Sequence, residues 1–425
     1  MSSEQDRTMK PPRNKGTRCG LDRRDFLRRG AATVAGAFLS LSGFPEVGSS
    51  EEKESAASPG QLLPKRPLGK TGLMVSAVAF GGSPFCEDVR PPVPVKTVAK
   101  MFHRTMELGL NFIDTSHLYG RGYSEKAFAE AIRGRRDQFV IFSRCPMWGM
   151  RSASEMLDES LQRLGTDYID VYGMHGTRMS EDIADRFLER FLPDLEKAKE
   201  AGKIGHIAVT GHQAPTAMVK LIETGKIEVV QFPINPFWRE FLEIVMPVAK
   251  KKGVGVVAMK PTWRGRLLNS LPEVDAVIGS SKKEKLLNLL GFGLTQDLAS
   301  VSVGFARESD VEENMGAALS FLNRPGKGFS EEEAKRLALK AHESVKDNCR
   351  VCGKCLPCPV RIDVPGVLRL ELYARHYGLV DWAKREFQRH KRAADQCTRC
   401  GECTKKCPYG IPAQELVLRA AKRLT

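Results

Sequence analysis

Between Gln61 and Phe321 eight short β-branched runs alternate with amphipathic stretches, and this alternation limits the folds open to the chain more than any other feature. The runs are 75–80, 111–115, 139–143, 168–175, 206–211, 228–234, 253–260 and 300–304. Helical patterns such as "SEMLDESLQRLG" (154–165) and "FLPDLEKAKEAGK" (191–203) follow them. Eight β/α units over about 250 residues is the size and grammar of a (β/α)8 TIM barrel, an α/β fold. A doubly wound open sheet is the alternative, but no G-x-G-x-x-G follows the first run. In a barrel, chemistry sits at the carboxyl ends of the strands. Those positions carry Asp114, Arg144, His175, Thr210, His212, Asn235 and Lys260.

The chain carries 66 Lys and Arg against 51 Asp and Glu, a formal charge of +15. Arg7, Lys10, Arg13, Lys15, Arg18, Arg23, Arg24, Arg28 and Arg29 supply much of that excess in one short segment. No basic stripe interleaved with aromatics accompanies it, which argues against nucleic acid as a partner. "LDRRDFLRRGAATVAGAFLSLSG" (21–43) has a charged start and an apolar stretch too short for a stable membrane span unless it stays uncleaved as an anchor. Its paired arginines resemble a twin-arginine export signal, with Asp22 in place of the usual Ser or Thr and Arg28 in place of Lys. Residues 1–60 are therefore expected to be signal and linker, and the protein periplasmic or in the cell envelope. A disordered basic arm on a cytoplasmic protein is the alternative.

"NFIDTSHLYGRGYSEKAFAEAI", "SLQRLGTDYIDVYGMH", "EAGKIGHIAVTGH" and "VGFARESDVEENM" resemble, in order and spacing, the signature segments of the aldo/keto reductase family. The resemblance runs from about Lys65 to Phe321. It implies a barrel that reduces carbonyls with NADP(H), Tyr119 as proton donor, Asp114 as its partner carboxylate and His175 as the orienting histidine. A phenol donates poorly at neutral pH unless a cation lowers its pKa. The family's lysine after the third strand is here Arg144, which keeps the charge but is bulkier and always protonated. The resemblance places Thr210 and His212 near the nicotinamide, Gln231 on its carboxamide and Gly265 in the following loop. Met259, with Lys260 beside it, replaces the aromatic that many relatives stack on the nicotinamide. Gly304, Glu313 and Asn314 match the segment at the adenosine end, with Arg307 available for a phosphate at a helix start.

Of eleven cysteines, eight fall between Cys349 and Cys407. Cys349, Cys352, Cys355 and Cys358 stand two residues apart and are closed by Pro359; Cys397, Cys400, Cys403 and Cys407 form C-x2-C-x2-C-x3-C-P. In two-cluster ferredoxins the fourth cysteine of each run serves the other cluster. On that precedent one 4Fe-4S cluster takes Cys349, Cys352, Cys355 and Cys407, the second Cys397, Cys400, Cys403 and Cys358. Structural zinc would use paired C-x2-C knuckles, and disulfides gain little geometry from such repeats. Helical spacing between the runs predicts an α-helical ferredoxin-type domain, and the region resembles the tail of a branch of aldo/keto reductases.

The expected organisation is a barrel over 61–325, a helical connector over 326–345 opened by the N-cap of "FSEEE", and the iron-sulfur domain over 346–425. The expected activity is hydride chemistry on a small carbonyl or alcohol, coupled through two clusters to a redox partner protein or quinone-linked donor. A non-catalytic electron-transfer or binding protein with a degenerate barrel is the alternative.

Overall fold

All eight expected runs become strands, and they close into one parallel barrel. A computed structural model describes residues 62–147, 151–176, 179–269, 272–323, 330–344, 347–376 and 380–425. The expected signal and linker lie outside the described residues. The described residues form one compact unit.

A hairpin of β1 (Lys65–Pro67) and β2 (Met74–Ser76) precedes the barrel. The barrel strands are β3 (Val78–Gly81), β4 (Phe112–Asp114), β5 (Val140–Cys145), β6 (Ile169–Gly176), β7 (Ile204–Gly211), β8 (Val229–Pro233), β9 (Gly255–Met259) and β10 (Ser300–Gly304), joined in that order with β10 against β3. Parallel strands covered on both faces read as continuous apolar runs, and β4, β5, β6, β8 and β9 are buried throughout.

The first expected strand, 75–80, differs in one respect: it divides. Met74–Ser76 pairs backwards with β1, and only Val78–Gly81 enters the barrel. The hairpin turn presses Gly69, at φ +57°, so close to β9 that a Cβ there would lie 2.3 Å from the Gly255 amide nitrogen. This contact brings Leu68 and Val75 into the apolar interior with Phe112, Phe142, Val171 and Val257, so the hairpin plugs the amino end of the barrel.

Outer helices, among them Val95–Glu107, Ala153–Leu164 and Glu308–Leu322, cover the strands. The connector helix is Glu331–Ser344, capped by Ser330, whose Oγ accepts from the Glu333 amide at 3.0 Å as the sequence pattern implied. The cysteine region carries helices Val364–His376, Val380–Phe387, Lys391–Asp395, Glu402–Lys405 and Ala413–Leu424 and no strand among the described residues. Its apolar side continues the core that surrounds the barrel. No described helix is long and apolar enough to cross a membrane.

The helical module docks on loops at the carboxyl end of the barrel. After β7, the Ala214 amide donates to the Val351 carbonyl at 3.1 Å. After β8, the Phe237 carbonyl accepts from Asn348 Nδ2 at 3.2 Å, and the Trp238 ring lies under the Arg369 guanidinium at 5.5 Å. After β9, Trp263 stacks on Trp238 at 4.8 Å and meets Tyr373 edge-on at 4.3 Å.

Candidate functional site

Strand β4 ends on Asp114, and the chain then turns back on itself. Gly120 at φ 58°, Arg121 at φ 57° and Gly122 at φ 89° make a left-handed run that returns Tyr119 over the strand end. On β5, Arg144 is 1% exposed and among the largest fully buried side chains of the protein. Its Nη1 donates to Asp114 Oδ1 at 2.6 Å and its Nη2 to Tyr119 Oη at 2.7 Å. One planar cation thus holds both the carboxylate and the phenol, a fork that lysine cannot reproduce. The other carboxylate oxygen of Asp114 accepts from Gln231 Nε2 at 2.8 Å and from the Ser302 hydroxyl.

The phenol of Tyr119 is pushed up from its ordinary value by burial. Arg144 pulls it down, and the charge of Asp114 works against that pull. The positive charge at position 144 therefore does not make an acidic tyrosine, and the phenol keeps its proton at neutral pH. His175 is held well below the ordinary imidazole range by burial and by the cations Arg144 and Lys260, so its ring is neutral. Its Nδ1 lies 2.8 Å from Ser116 Oγ, and its ring stands perpendicular to Tyr119, 5.5 Å between centroids.

A cavity of about 840 Å³ opens above these groups, lined by Asp114, Tyr119, Arg144 and His175 at its deep end. His212, Lys260 and Gly265 line one flank, and Gly304, Arg307, Glu313 and Asn314 the far end. Thr210 and Gln231, placed by the resemblance near the nicotinamide, do not line it. The Thr210 hydroxyl donates to the Met174 carbonyl at 3.1 Å, and Gln231 is committed to Asp114 beneath the floor. Asn235, read at the end of the sixth strand, likewise turns to the Lys260 carbonyl at 3.2 Å.

Lys260 lies well below the ordinary lysine range because it is buried beside Arg264, Arg369 and Arg266. It begins a strained loop in which Lys260, Trp263 and Arg264 all have φ between 53° and 58°. From this loop Arg264 Nε donates to Asp88 Oδ2 at 2.9 Å, on the segment after β3. Since β10 stands between β9 and β3, that ion pair straps across the cavity mouth.

The far end is less open to a phosphate than the sequence implied. Asp310 Oδ2 already accepts from the Ala306 and Arg307 amides at 2.9 Å each, and its Oδ1 takes the Arg307 guanidinium. Glu313 is paired with Lys282, and Asn314 Nδ2 holds the Gly304 carbonyl at 3.2 Å.

The eight cysteines surround two small cavities. Cys349, Cys352 and Cys407 line one, Cys358, Cys397 and Cys400 the other, and Cys355 and Cys403 face both. The two halves repeat one loop design. Val351 at φ 50° and Gly353 at φ 80° flank Cys352 as Arg399 at φ 57° and Gly401 at φ 77° flank Cys400. Arg361 at φ 59° and Gly410 at φ 65° each stand three residues past the fourth cysteine of their run. A helix follows each half, Val364–His376 and Ala413–Leu424.

The ten described cysteines are all free. Among the described residues no three His, Cys, Asp or Glu side chains converge as they would on a single metal ion. Burial pushes the Cys349 thiol up and Cys355 up to about 12, so thiolates here need a cation beside them. Thiols ringed around two voids, with loops turned by left-handed residues, fit cuboidal iron-sulfur clusters better than one ion.

Residues 77–357 match the aldo/keto reductase family. The chain belongs to that family. Residues 348–412 match a 4Fe-4S dicluster domain. L-galactose dehydrogenase of Arabidopsis thaliana is 30% identical over 302 residues, covering 63% of this chain and 93% of that protein. Among solved structures, the aldo-keto reductase AKR11C1 from Bacillus halodurans in its holo form superposes with a TM-score of 0.55 at 22% identity, over 65% of this chain and 96% of that one. An aldo-keto reductase from Klebsiella pneumoniae in complex with NADPH gives 0.52 at 21% identity, over 65% and 94%.

This aldo/keto reductase is an oxidoreductase of that family's type with a 4Fe-4S dicluster domain appended. Three of its site groups escaped the reading by strand ends. Ser302 reaches Asp114 from within β10, Ser116 reaches His175 from the loop after β4, and Asp88 meets Arg264 over the mouth. A serine inside the apolar run "SVSVG" was the one available signal for the first.

Proposed function

We propose that this protein is an NADP(H)-linked oxidoreductase of small carbonyls or alcohols whose barrel exchanges electrons with two 4Fe-4S clusters. The observation that carries the coupling is the position of Trp263. It belongs to the loop that lines the barrel cavity, and it packs on Tyr373 of the helix Val364–His376, whose first turns line both cysteine cavities.

A nicotinamide, when bound, supplies or accepts hydride, and the two clusters each carry one electron of such a pair. The chain's own groups supply the rest. Tyr119 holds the proton that a carbonyl oxygen needs on reduction. Arg144 donates to the same phenol oxygen and steadies the charge left when that proton departs. Asp114 keeps Arg144 in place, and Gln231 and Ser302 keep Asp114 in place. His212, Lys260 and Gly265 are the residues offered to the nicotinamide half of the dinucleotide, and Gly304, Arg307, Glu313 and Asn314 to the adenosine half, once Asp310 yields the Arg307 guanidinium. Cluster ligands are Cys349, Cys352, Cys355 and Cys407 for one, and Cys397, Cys400, Cys403 and Cys358 for the other, a pairing supported by the cysteines exclusive to each cavity.

We propose further that residues 1–60 direct twin-arginine export of the folded, cluster-loaded chain. Changing Arg23 and Arg24 to Lys is expected to retain the protein in the cytoplasm, and continued export would refute that route. For the enzyme, anaerobic titration with NADPH is the test: saturable quenching of tryptophan fluorescence is expected. Absence of binding at millimolar cofactor would refute the barrel reading. Iron and sulfide analysis is expected to give about eight irons per chain; zinc without sulfide would refute the clusters.

A further inference from the structure

The two cysteine cavities share one loop design but have different surroundings. Cys355 and Cys403 line both, so the cavities are neighbours. The cavity of Cys349, Cys352 and Cys407 also takes Pro365 and Leu368, from the helix that carries Tyr373 against Trp263. Its loop is tied to the barrel, since the Val351 carbonyl accepts from the Ala214 amide at 3.1 Å and Asn348 Nδ2 donates to the Phe237 carbonyl at 3.2 Å. This is the inner cavity. The cavity of Cys358, Cys397 and Cys400 is the outer one: among the described residues its loops, 358–361 and 397–403, make no hydrogen bond or ion pair with the barrel. Cys400 is the one exposed thiol of the ten described cysteines.

Equivalent positions show what the surroundings select. Before the second cysteine of each run stands a left-handed residue, Val351 beside the inner cavity, 3% exposed, and Arg399 beside the outer one, exposed. Three residues past the fourth cysteine stand Gly410 at the inner cavity and exposed Arg361 at the outer one. An arginine at positive φ is held at a conformational cost that glycine avoids. Neither arginine has an ion-pair partner among the described residues. Glu402, the one carboxylate lining the outer cavity, already faces Lys405 at 3.5 Å and Lys406 at 3.9 Å. Residues 347–425 hold 16 Lys and Arg against 8 Asp and Glu, so the rest of the module adds to this positive field. None of the exposed large apolar side chains, Leu62, Met74, Leu339 and Tyr409, lines the outer cavity, which disfavours a lipid surface as the occupant.

We infer that the outer cavity is the electron exit, and that Arg361, Arg399, Lys405 and Lys406 around Cys400 form the docking face for a small acidic one-electron carrier protein. The carrier's flavin or iron-sulfur centre gains the single electron that the cluster of the outer cysteines loses, and the inner site, next to Tyr373 and Trp263, replaces it. The inference rests on the proposed two-cluster function.

The tests use the full, cluster-loaded chain without oxygen. Calorimetric binding of oxidised flavodoxin, an acidic carrier, to the oxidised chain reads docking with no electron moved. Wild type is expected to bind, and to bind at least about tenfold more weakly at physiological than at low ionic strength. Arg361→Asp and Arg399→Asp, which suit a positive φ, are each expected to weaken binding about tenfold at low salt. Lys354→Asp, the same reversal beside Gly353 of the inner cavity, is expected to stay within about threefold. Stopped-flow reduction of flavodoxin to its semiquinone, which takes its proton from water, by the dithionite-reduced chain is expected to rank the variants alike. Iron content separates loss of docking from loss of clusters, and if an Asp variant loses iron the salt dependence of wild type decides alone. No binding, salt-independent binding, equal weakening at Lys354, or binding to phosphatidylglycerol vesicles in place of flavodoxin overturns the docking face. A wild-type chain that loads no iron overturns the two-cluster function and the exit with it. Clusters that NADPH leaves oxidised refute only the coupling to the barrel, because this test starts from dithionite.

Discussion

Arg144 at the barrel mouth meets Asp114 and Tyr119 within 2.7 Å, whereas the thiols around the two module cavities have mainly one another. Both regions bring reactive groups out of water. The barrel balances its charges internally: the carboxylate has the guanidinium, an amide and a hydroxyl, and every partner comes from a different strand or strand-end loop. The module brings thiols together instead, and burial pushes those of Cys349, Cys355 and Cys403 up, towards the neutral form. The mouth is held by its own side chains, whereas the module's thiols are of the kind that metal binding stabilises.

The largest effect expected from that contrast comes at Cys355 or Cys403, the two cysteines facing both cavities. Serine at either position is expected to lower bound iron from about eight per chain to about four or fewer. Hydrogen exchange is expected to quicken in Val364–His376 and Ala413–Leu424 and to stay slow in β4 to β8. Loss of protection in the barrel as well would show that the two regions are not separately organised.

Arg144→Met attacks the other side. It strands a buried carboxylate and is expected to destabilise the barrel by about 3–5 kcal/mol and to cut turnover at least about 100-fold. Arg144→Lys keeps the charge but reaches one partner at a time, so its loss is expected to be intermediate. Denaturant midpoints with cofactor-dependent rates check both variants, and a Met variant as stable as wild type would contradict the internal balance.

Glu240 lies where the two regions meet, 3.9 Å from Arg350 and 4% exposed. Burial pushes its carboxyl up to about 7, above the value it has when unfolded. A raised carboxyl stabilises the fold most fully below its unfolded pKa, and that contribution is lost as pH rises through about 7. Glu240→Gln is therefore expected to match wild type near pH 5 and to exceed it by about 2 kcal/mol at pH 8. Equal thermal midpoints at both pH values would contradict this. Smallest is Ser302→Ala, which removes one of the three donors to Asp114, at a cost of about 1–2 kcal/mol. Its expected signature is a lower kcat, since Ser302 holds Asp114 and Asp114 holds Arg144.

The same contrast explains what the sequence made legible. Strands buried on both faces announce themselves as apolar runs, so all eight were readable, and metal-binding cysteines announce themselves by spacing. The division of the first strand was not readable, because it depends on a turn at Gly69 packing on Gly255, far along the chain. The support around Asp114 was hidden for a similar reason: Gln231 and Ser302 are 117 and 188 residues away from it. Arg307 read as a free cation, yet Asp310, one helical turn on, takes both its guanidinium and the amides that would greet a phosphate.

The central claim is that the barrel mouth and the cluster module act as one device through Trp263. Freeze-quench EPR of the anaerobic, reconstituted full chain mixed with NADPH tests it most directly. The expected result is the signal of reduced 4Fe-4S clusters, arriving at least about tenfold more slowly in Trp263→Leu while dithionite reduces both proteins at one rate. Clusters that dithionite reduces and NADPH leaves untouched in the wild-type chain would contradict the account.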